Sequence, residues 1–312
     1  MGVSTHDIFG DAPGAEPATP GTYGRPPKRY RLPDALRLGA VRLQIADLER
    51  SLDYYSRVLG LRILDQTATT ALLAPEGTSA PLIELRARPG ARPAPRRGRL
   101  GLFHFAILLP DRPSLGRFVR HLGAIGAQAG AADHLVSEAF YLQDPDNLGI
   151  EVYADRPRDQ WRRVGRELMM ATDPIDMPGL VAAAGAAQWS GMPAGTQMGH
   201  LHLHVGDIAG AEAFYAEALG FDRTVWEYPG ALFMGAGGYH HHLGTNTWAG
   251  SGAAAAGPDD AQLLEWTMEF PDEGSRELGV RSLEDAGHAT VREADGVNVR
   301  DPWGTKVRLA TK

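Results

Sequence analysis

Histidines stand out in this chain as residues whose number and spacing could carry chemistry. Three alternate along one segment, at His200, His202 and His204, and three are consecutive, at His240–His242. The chain holds 11 histidines and no cysteine, so a bound metal ion would have to rest on His, Asp or Glu side chains. Imidazole also titrates near neutral pH. The sequence therefore indicates metal binding, proton transfer or both.

The composition is typical of a globular protein with a small partner. The 312 residues carry 31 basic and 38 acidic side chains, a net charge of −7, without long runs of like charge, which argues against a nucleic-acid partner. No apolar stretch reaches the roughly 18 residues of a membrane helix, and the N-terminus has no signal-like region. We therefore expect a cytoplasmic protein that binds a small molecule and no membrane, with a homo-oligomer left open.

An internal repeat organises the elements that must position these residues. At a constant offset, residues 41–47 align with 201–207 and residues 54–60 align with 214–220. Each copy alternates apolar and polar residues up to an Asp, which is typical of a half-buried strand. The Asp then caps a short helix that ends at Leu-Gly. Strand, capped helix and glycine stop therefore recur as one unit.

Weaker copies of this unit begin at His104 and Glu265, and strand-like runs separated by turns follow each helix. The repeating unit is a βαβββ module, and modules one to four span residues 37–90, 98–155, 198–250 and 261–312. The pattern predicts an α+β fold.

The modules suggest a division of the chain into four parts. Residues 1–36 are rich in Gly, Pro and Ala without periodicity, so we expect a disordered N-terminal extension. Residues 37–155 would form a first domain from modules one and two, residues 156–197 a connector, and residues 198–312 a second domain from modules three and four.

Four consecutive βαβββ modules resemble the vicinal oxygen chelate superfamily, which includes glyoxalase I, bleomycin-resistance proteins and type I extradiol dioxygenases. The runs at 103–110, 149–155 and 237–248 are similar to the catechol 2,3-dioxygenase-like branch. The resemblance implies that modules pair into two cupped, mostly antiparallel sheets. It also implies that metal ligands come from the first and last strands of the modules.

Register along the repeat gives the residues at those positions. The first-strand positions of modules one to four are Ala40, His104, His200 and Glu265, and the last-strand positions are Glu84, Glu151, the run His240–His242, and Arg308. This pattern favours a site shared by modules two and three, with His104, His200 and Glu151 as metal ligands. Two imidazoles and one carboxylate form the facial triad of non-haem Fe(II) oxygenases, with open positions for substrate and O2.

Other arrangements stay open. Sequential pairing of the modules would give one site at Glu84, His104 and Glu151 and another at His200, His240 or His242, and Glu265. By two-residue periodicity His202 and His204 share a face with His200, so either could replace it as a ligand. Glu151 could instead form a salt bridge with a nearby arginine.

The consecutive histidines fit a second role in catalysis. In a strand, His240 and His242 would face one way and His241 the other. We expect His242 or His240 to reach the cup and act as the acid–base group for a catechol hydroxyl, with His242 favoured by count. His241 would face away.

These residues point to an Fe(II)-dependent extradiol dioxygenase that cleaves a catechol-like aromatic substrate with O2, and Mn(II) would fit the same ligands. A glyoxalase-type lyase or isomerase with Ni(II) or Zn(II), two carboxylates and a proton shuttle is the alternative enzyme. A binding protein of the bleomycin-resistance kind is the alternative without catalysis, because this scaffold hosts many functions.

Overall fold

The computed structural model describes residues 3–10 and 14–311. The chain begins with α1 (Thr5–Phe9) and β1 (Glu16–Pro17). Module one contains β2 (Arg37–Ile45), α2 (Leu48–Arg57), β3 (Arg62–Gln66), β4 (Thr70–Ala74) and β5 (Ile83–Ala87). Module two contains β6 (Gly101–Leu108), α3 (Arg112–Ile125), β7 (Gly130–Asp133), β8 (Ser137–Gln143) and β9 (Gly149–Asp155).

The connector comes next, and modules three and four then repeat the element order of modules one and two. The connector holds a short 3₁₀ turn (Arg158–Gln160), β10 (Arg162–Val164), β11 (Glu167–Leu168) and α4 (Met177–Ala183). Module three contains β12 (Gln197–His204), α5 (Ile208–Ala211) with a π-helical continuation (Glu212–Ala218), β13 (Asp222–Val225), β14 (Ala231–Gly235) and β15 (Leu243–Asn246). Module four contains β16 (Gln262–Phe270), α6 (Glu273–Asp285), β17 (Thr290–Glu293), β18 (Gly296–Arg300) and β19 (Lys306–Thr311).

An aspartate begins the helix of every module. Each of these side chains accepts a hydrogen bond from the backbone N–H three residues further on, which satisfies a donor that the first helical turn leaves free. The four caps are Asp47, Asp111, Asp207 and Asp272. Strands and capped helices follow the βαβββ order in all four modules. The repeat and the α+β fold predicted from the sequence are therefore confirmed.

The sheets pair module two with module three and module one with module four. Among the described residues, the 2–3 sheet has the strand order β13-β14-β15-β12-β6-β9-β8-β7, and the 1–4 sheet has the order β17-β18-β19-β16-β2-β5-β4-β3. Among the described strands of these two sheets, only the pairs of first and last strands within a module are parallel. Sequential pairing of modules is therefore wrong. Each half of the chain contributes to both sheets, and the domain boundaries at 37–155 and 198–312 stay a prediction.

The N-terminal segment packs on the modules, although its composition predicts a disordered extension. Leu32 and Leu36 are buried, the Leu32 N–H donates to the carbonyl of Gly220, and Tyr23 donates its hydroxyl hydrogen to the carbonyl of Gly238. A few apolar anchors thus hold a segment that has no periodic pattern. Residues 1–2 and 11–13 of the predicted extension lie outside the described residues.

The connector adds a small layer over one end of the 2–3 sheet. Its strands β10 and β11 join β1 in a three-stranded sheet, and α4 packs on α3, where Gly116 faces the carbonyl of Leu180. Among the described residues, the helices are all too short or too polar to span a membrane.

Candidate metal centre

Three neighbouring strands of the 2–3 sheet, β12, β6 and β9, place three ligand-type side chains on one face. Strands β6 and β12 are antiparallel and β9 runs parallel to β6, so Ala106 lies level with both His200 and Glu151. Residues opposite each other across a ladder point to the same face of a sheet, and so do residues two apart in a strand. His104, two residues before Ala106, therefore shares the concave face with His200 and Glu151.

The side chains of His104, Glu151 and His200 converge. His104 Nε2 lies 3.0 Å from Glu151 Oε2, and His200 Nε2 lies 3.2 Å from the same oxygen. Within the described chain they form a group of metal-competent residues whose ligand atoms all lie within 4.8 Å of one another. All three residues are buried, and they are called the ligand group below. The sequence prediction that these residues meet is thus matched by their placement.

The donor set fits a divalent cation. Glu151 Oε1 and His200 Nδ1 are buried without a hydrogen-bond partner, an arrangement that is costly unless another group satisfies them. Burial alone would raise the pKa of Glu151, but the charge of His200 and hydrogen bonds from both histidines outweigh burial and hold that pKa well below its usual range. Burial lowers the pKa of His200 to about 4. An ionised Glu151 and a neutral His200 are the protonation states that a metal site requires of these two residues.

A cavity of about 550 Å³ opens above these residues. Its wall is largely apolar and aromatic, and the connector contributes to its rim. The apolar lining residues are Phe103, Met170, Ala171, Tyr228, Phe233 and Trp248. A volume of this size suits a small ligand, and the flat aromatic side chains suit a planar one.

Tyr141 and His134 form a polar pair on the cavity wall that the sequence analysis missed. Tyr141 on β8 pairs directly with Glu151 on β9, so it shares the concave face. His134 Nδ1 lies 2.6 Å from the carbonyl of Ala171, and His134 Nε2 lies 2.5 Å from the Tyr141 hydroxyl. With Nδ1–H donating to that carbonyl, Nε2 accepts from Tyr141. Burial and then the charge of Glu151 raise the pKa of Tyr141 well above its usual range, so its hydroxyl stays a donor.

The consecutive histidines are placed differently from the prediction. His241 lines the cavity, with its ring centroid 4.1 Å from that of His200. His242 faces a second cavity behind the sheet and accepts the backbone N–H of Ala236. His240 is fully buried and contacts Asp155. The expectation that His240 or His242 reaches the cup is wrong because the run lies in an irregular turn before β15, where the assumed strand parity does not apply.

Ladder register identifies the counterpart of Glu151 in module three. Ala106 pairs with Glu151, and His202, the equivalent of Ala106, pairs with Gly244. A glycine therefore occupies the fourth position of the cup, which leaves that side of the ligand group without a donor. A Cβ at Gly244 would lie 3.0 Å from the His202 ring.

His202 and His204 lie beside the ligand group but outside it. His202 pairs with His104 across the ladder, and their ring centroids are 5.1 Å apart. Its pKa is held well below the usual range, chiefly by burial. His204 Nδ1 lies 2.6 Å from Asn246 Oδ1 and is thereby engaged elsewhere. Both residues line the cavity.

The corresponding positions of the 1–4 sheet hold ion pairs. Glu265 Oε1 lies 2.8 Å from Arg308 Nε and 3.1 Å from Arg42 Nη1, and Arg42 Nε lies 2.7 Å from Glu84 Oε2. With Ala40 at the remaining position, guanidinium groups fill the place that a cation would take.

Comparison with known proteins gives matches over most of the chain. The family model of the glyoxalase/bleomycin resistance protein/dioxygenase superfamily matches residues 37–152 and 197–309. A catechol-2,3-dioxygenase of Bacillus subtilis (strain 168) is 43% identical over 269 residues, which cover 85% of this chain and 93% of that protein.

Solved structures share the fold. A Bacillus subtilis chain provisionally described as a dioxygenase has a TM-score of 0.61 at 13% identity, with 88% of this chain and 84% of that chain covered. Glyoxalase I from Zea mays has a TM-score of 0.53 at 18% identity, with 89% and 92% covered. At these identities the two likenesses concern the fold alone.

Proposed function

The chain belongs to the glyoxalase/bleomycin resistance protein/dioxygenase superfamily, and from this premise we propose that it is a metal-dependent extradiol-type dioxygenase. The substrate class is a catechol-like aromatic compound, and the second substrate is O2. The observation that carries this proposal is the buried group His104, Glu151 and His200 at the floor of an aromatic-walled cavity. The identity with the Bacillus catechol-2,3-dioxygenase supports the same reaction class.

His104, His200 and Glu151 would hold the metal, with Fe(II) as the proposed ion and Mn(II) fitting the same ligands. A bound Fe(II) would supply Lewis-acid and redox chemistry, and three protein ligands would leave positions for both catechol oxygens and O2. Burial of the ligand group keeps bulk water from the ligand atoms, and the aromatic wall orients a planar ring above them.

The remaining cavity residues would handle protons. His241 stands beside His200 with one imidazole nitrogen available to the cavity, so it would accept the proton of a catechol hydroxyl. Burial and then the charge of the neighbouring histidines hold the pKa of His241 well below its usual range, so the ring is neutral before the reaction. Tyr141, whose one hydroxyl hydrogen goes to His134 Nε2, would accept a hydrogen bond from a substrate hydroxyl.

The alternatives receive less support from the geometry. A glyoxalase-type lyase or isomerase was expected to use two carboxylates, whereas the ligand group contains one and Gly244 stands at the position equivalent to the other. A protein that only binds a small molecule has no need of buried ligand atoms without hydrogen-bond partners.

The proposal is tested by metal analysis and oxygen labelling. Protein purified without oxygen should contain about one Fe or Mn per chain, as expected for one facial triad. With catechol and ¹⁸O2 it should consume oxygen and yield a ring-opened product that carries both labelled atoms. Stoichiometric Ni or Zn without oxygen uptake would favour the lyase, and a metal-free chain that binds catechols unchanged would favour a binding protein.

A further inference from the structure

Three hydrogen-bonded side chains, His241, His240 and Asp155, form a line from the metal-site cavity to the rear of the 2–3 sheet. His241 Nδ1 lies 2.7 Å from His240 Nδ1, and His240 Nε2 lies 2.9 Å from Asp155 Oδ1. His240 is fully buried, whereas Asp155 lies at the end of β9 and lines the second cavity. The line therefore runs from the cavity with the metal-ligand group to a separate, solvent-connected cavity.

The hydrogen-bonding capacity of these groups fixes the proton positions. A carboxylate only accepts hydrogen bonds, so His240 Nε2–H donates to Asp155. When His240 is neutral it carries one proton, so its Nδ1 is left as an acceptor and His241 Nδ1–H donates to it. Nε2 of His241 then carries the lone pair. The line thus dictates which nitrogen of His241 is free to accept a proton.

The carboxylate at the end of the line is itself held in place. Tyr239 donates its hydroxyl hydrogen to Asp155 Oδ1 at 3.2 Å, and the Tyr239 and Tyr153 hydroxyl oxygens lie 2.6 Å apart. Both tyrosines are buried. Asp155 Oδ1 therefore accepts hydrogen bonds from two donors in fixed positions, His240 and Tyr239. These bonds fix the orientation of the carboxylate.

We propose that Asp155 and His240 are positioning residues that hold His241 in the tautomer with Nδ1 protonated and Nε2 free toward the cavity. This inference rests on the proposed function, because His241 acts there as the base for a catechol hydroxyl. The proton of that hydroxyl goes to His241 Nε2. A His241 ring in the other tautomer would present an N–H and could not accept it.

Paired substitutions at His240 separate positioning from packing. In His240→Gln the amide N–H₂ can donate to Asp155 and the amide oxygen can accept from His241 Nδ1–H, so this variant keeps both bonds. His240→Leu fills similar space and keeps neither. We expect His240→Leu to lose on the order of 10²-fold in kcat with little change in KM, and His240→Gln to recover most of that loss. Asp155→Asn should fall between them.

The tautomer is also measurable without turnover. In the full chain loaded with diamagnetic Zn(II), ¹⁵N shifts of labelled histidines distinguish a protonated Nδ1 from a protonated Nε2, and a His241→Gln variant assigns the signal. His241 should be Nδ1-protonated in the parent protein and in His240→Gln. In His240→Leu it should become a mixture of both tautomers.

A neighbouring histidine provides the control. His242→Gln keeps an acceptor for the Ala236 N–H and should change neither kcat nor the His241 tautomer. Equal activity of the Gln and Leu variants at position 240, or an Nε2-protonated His241 in the parent, would overturn the positioning role. Thermal melting shows whether each variant is folded. If the tautomer is as stated but no catechol is cleaved, the proposed function fails while the positioning stands.

Discussion

Glu151 lies in β9 between two fully buried aliphatic residues, Ile150 and Val152, and its carboxylate meets two imidazoles instead of an arginine. No pairing of Glu151 with an Arg or Lys occurs among the described residues. A buried carboxylate without a permanent cation beside it is costly, and a bound metal ion removes that cost. The ligand group is therefore expected to be most stable with its metal.

Removing one ligand side chain should empty the site. We expect His104→Ala, Glu151→Ala and His200→Ala each to lose most of the bound metal while staying folded, because each removes one of three protein ligands. Metal content per chain, measured after anaerobic purification, tests this. His242→Gln, outside the ligand group, should keep its metal. If His200→Ala retained a full complement while Glu151→Ala lost it, the two residues would not share one site.

Asp144, which is not in the ligand group, gives the free energy of unfolding a pH dependence. It accepts the Tyr55 hydroxyl and the backbone N–H groups of Asp146 and Leu148, but burial outweighs these bonds and raises its pKa to about 7 from 3.8. Between those values the folded state holds a proton that the unfolded state has released. Stability from this group is therefore complete below about pH 4 and is lost as the pH rises through 7.

The Asp144→Asn variant should remove this dependence, because an amide does not ionise. The free energy of unfolding, measured in urea from pH 4 to 7, should fall with pH in the parent by up to about 1.4 kcal/mol per unit from this one group. The variant should show a flatter curve. Asp53→Asn, at an exposed position, should leave the slope as it is, and an unchanged slope in Asp144→Asn would contradict the assignment.

For single residues, the register of the repeat was sufficient to predict that His104, Glu151 and His200 meet, because β-ladders keep equivalent residues level. It failed at His240–His242, where an irregular turn precedes β15 and a count along the chain gives no direction. Tyr141 could have been found by the same parity, since it lies directly across the ladder from Glu151. His134 lies in the turn before β8, and nothing periodic identifies it.

Among the elements, α3 shows how a glycine sets the distance between two helices. Both Gly116 and Gly123 lie inside this helix. A Cβ at Gly116 would lie 2.3 Å from the carbonyl oxygen of Leu180 in α4, whereas a Cβ at Gly123 meets nothing within 4 Å. The close approach at Gly116 is what lets the connector lie against module two.

The two glycines should respond to alanine with opposite signs. Gly123→Ala should stabilise the protein by about 0.5–1 kcal/mol, because alanine favours the helix. Gly116→Ala gains the same propensity but must push α4 away, at a cost of about 1–3 kcal/mol. Urea denaturation of the two variants measures the difference. Equal stabilisation by both would mean that α4 does not dock at Gly116.

The elements were largely predictable where local signals are strong. Aspartate caps and alternating strands gave the βαβββ order in all four modules. The N-terminal segment was not predictable, because Tyr23, Leu32 and Leu36 are held by partners distant in sequence, such as Gly238 and Gly220. Local composition carries no information about such contacts.

For the whole molecule, duplication has produced two similar sheets with different contents. At the ligand positions, the 2–3 sheet has two histidines and a glutamate without a balancing arginine. At the equivalent positions, the 1–4 sheet has Glu265 surrounded by cations. Sequence register predicted which pair of modules could hold a metal. It could not fix the module pairing, because both pairings satisfy the same strand patterns.

Glu265 is the centre of the 1–4 sheet's ion pairs, and its pKa shows this. Burial alone would raise that pKa, but hydrogen bonds from Lys306 and Arg308 and the charge of Arg42 outweigh burial and lower it. The Lys306 Nζ lies 2.8 Å from Glu265 Oε2. The carboxylate is therefore the anion that holds three cations together.

Neutralising Glu265 should weaken the fold and spare the metal site. In Glu265→Gln three cations lose their shared anion, and we expect a loss of about 1–3 kcal/mol in the free energy of unfolding, below the value for a fully buried pair because Arg42 and Lys306 reach solvent. Metal content per chain should not change, because the site lies in the other sheet. Glu273→Gln, an exposed partner of Arg276, should alter neither quantity. A Glu265→Gln protein that stays folded but loses its metal would show that the 1–4 sheet takes part in metal binding, against the division of roles between the two sheets.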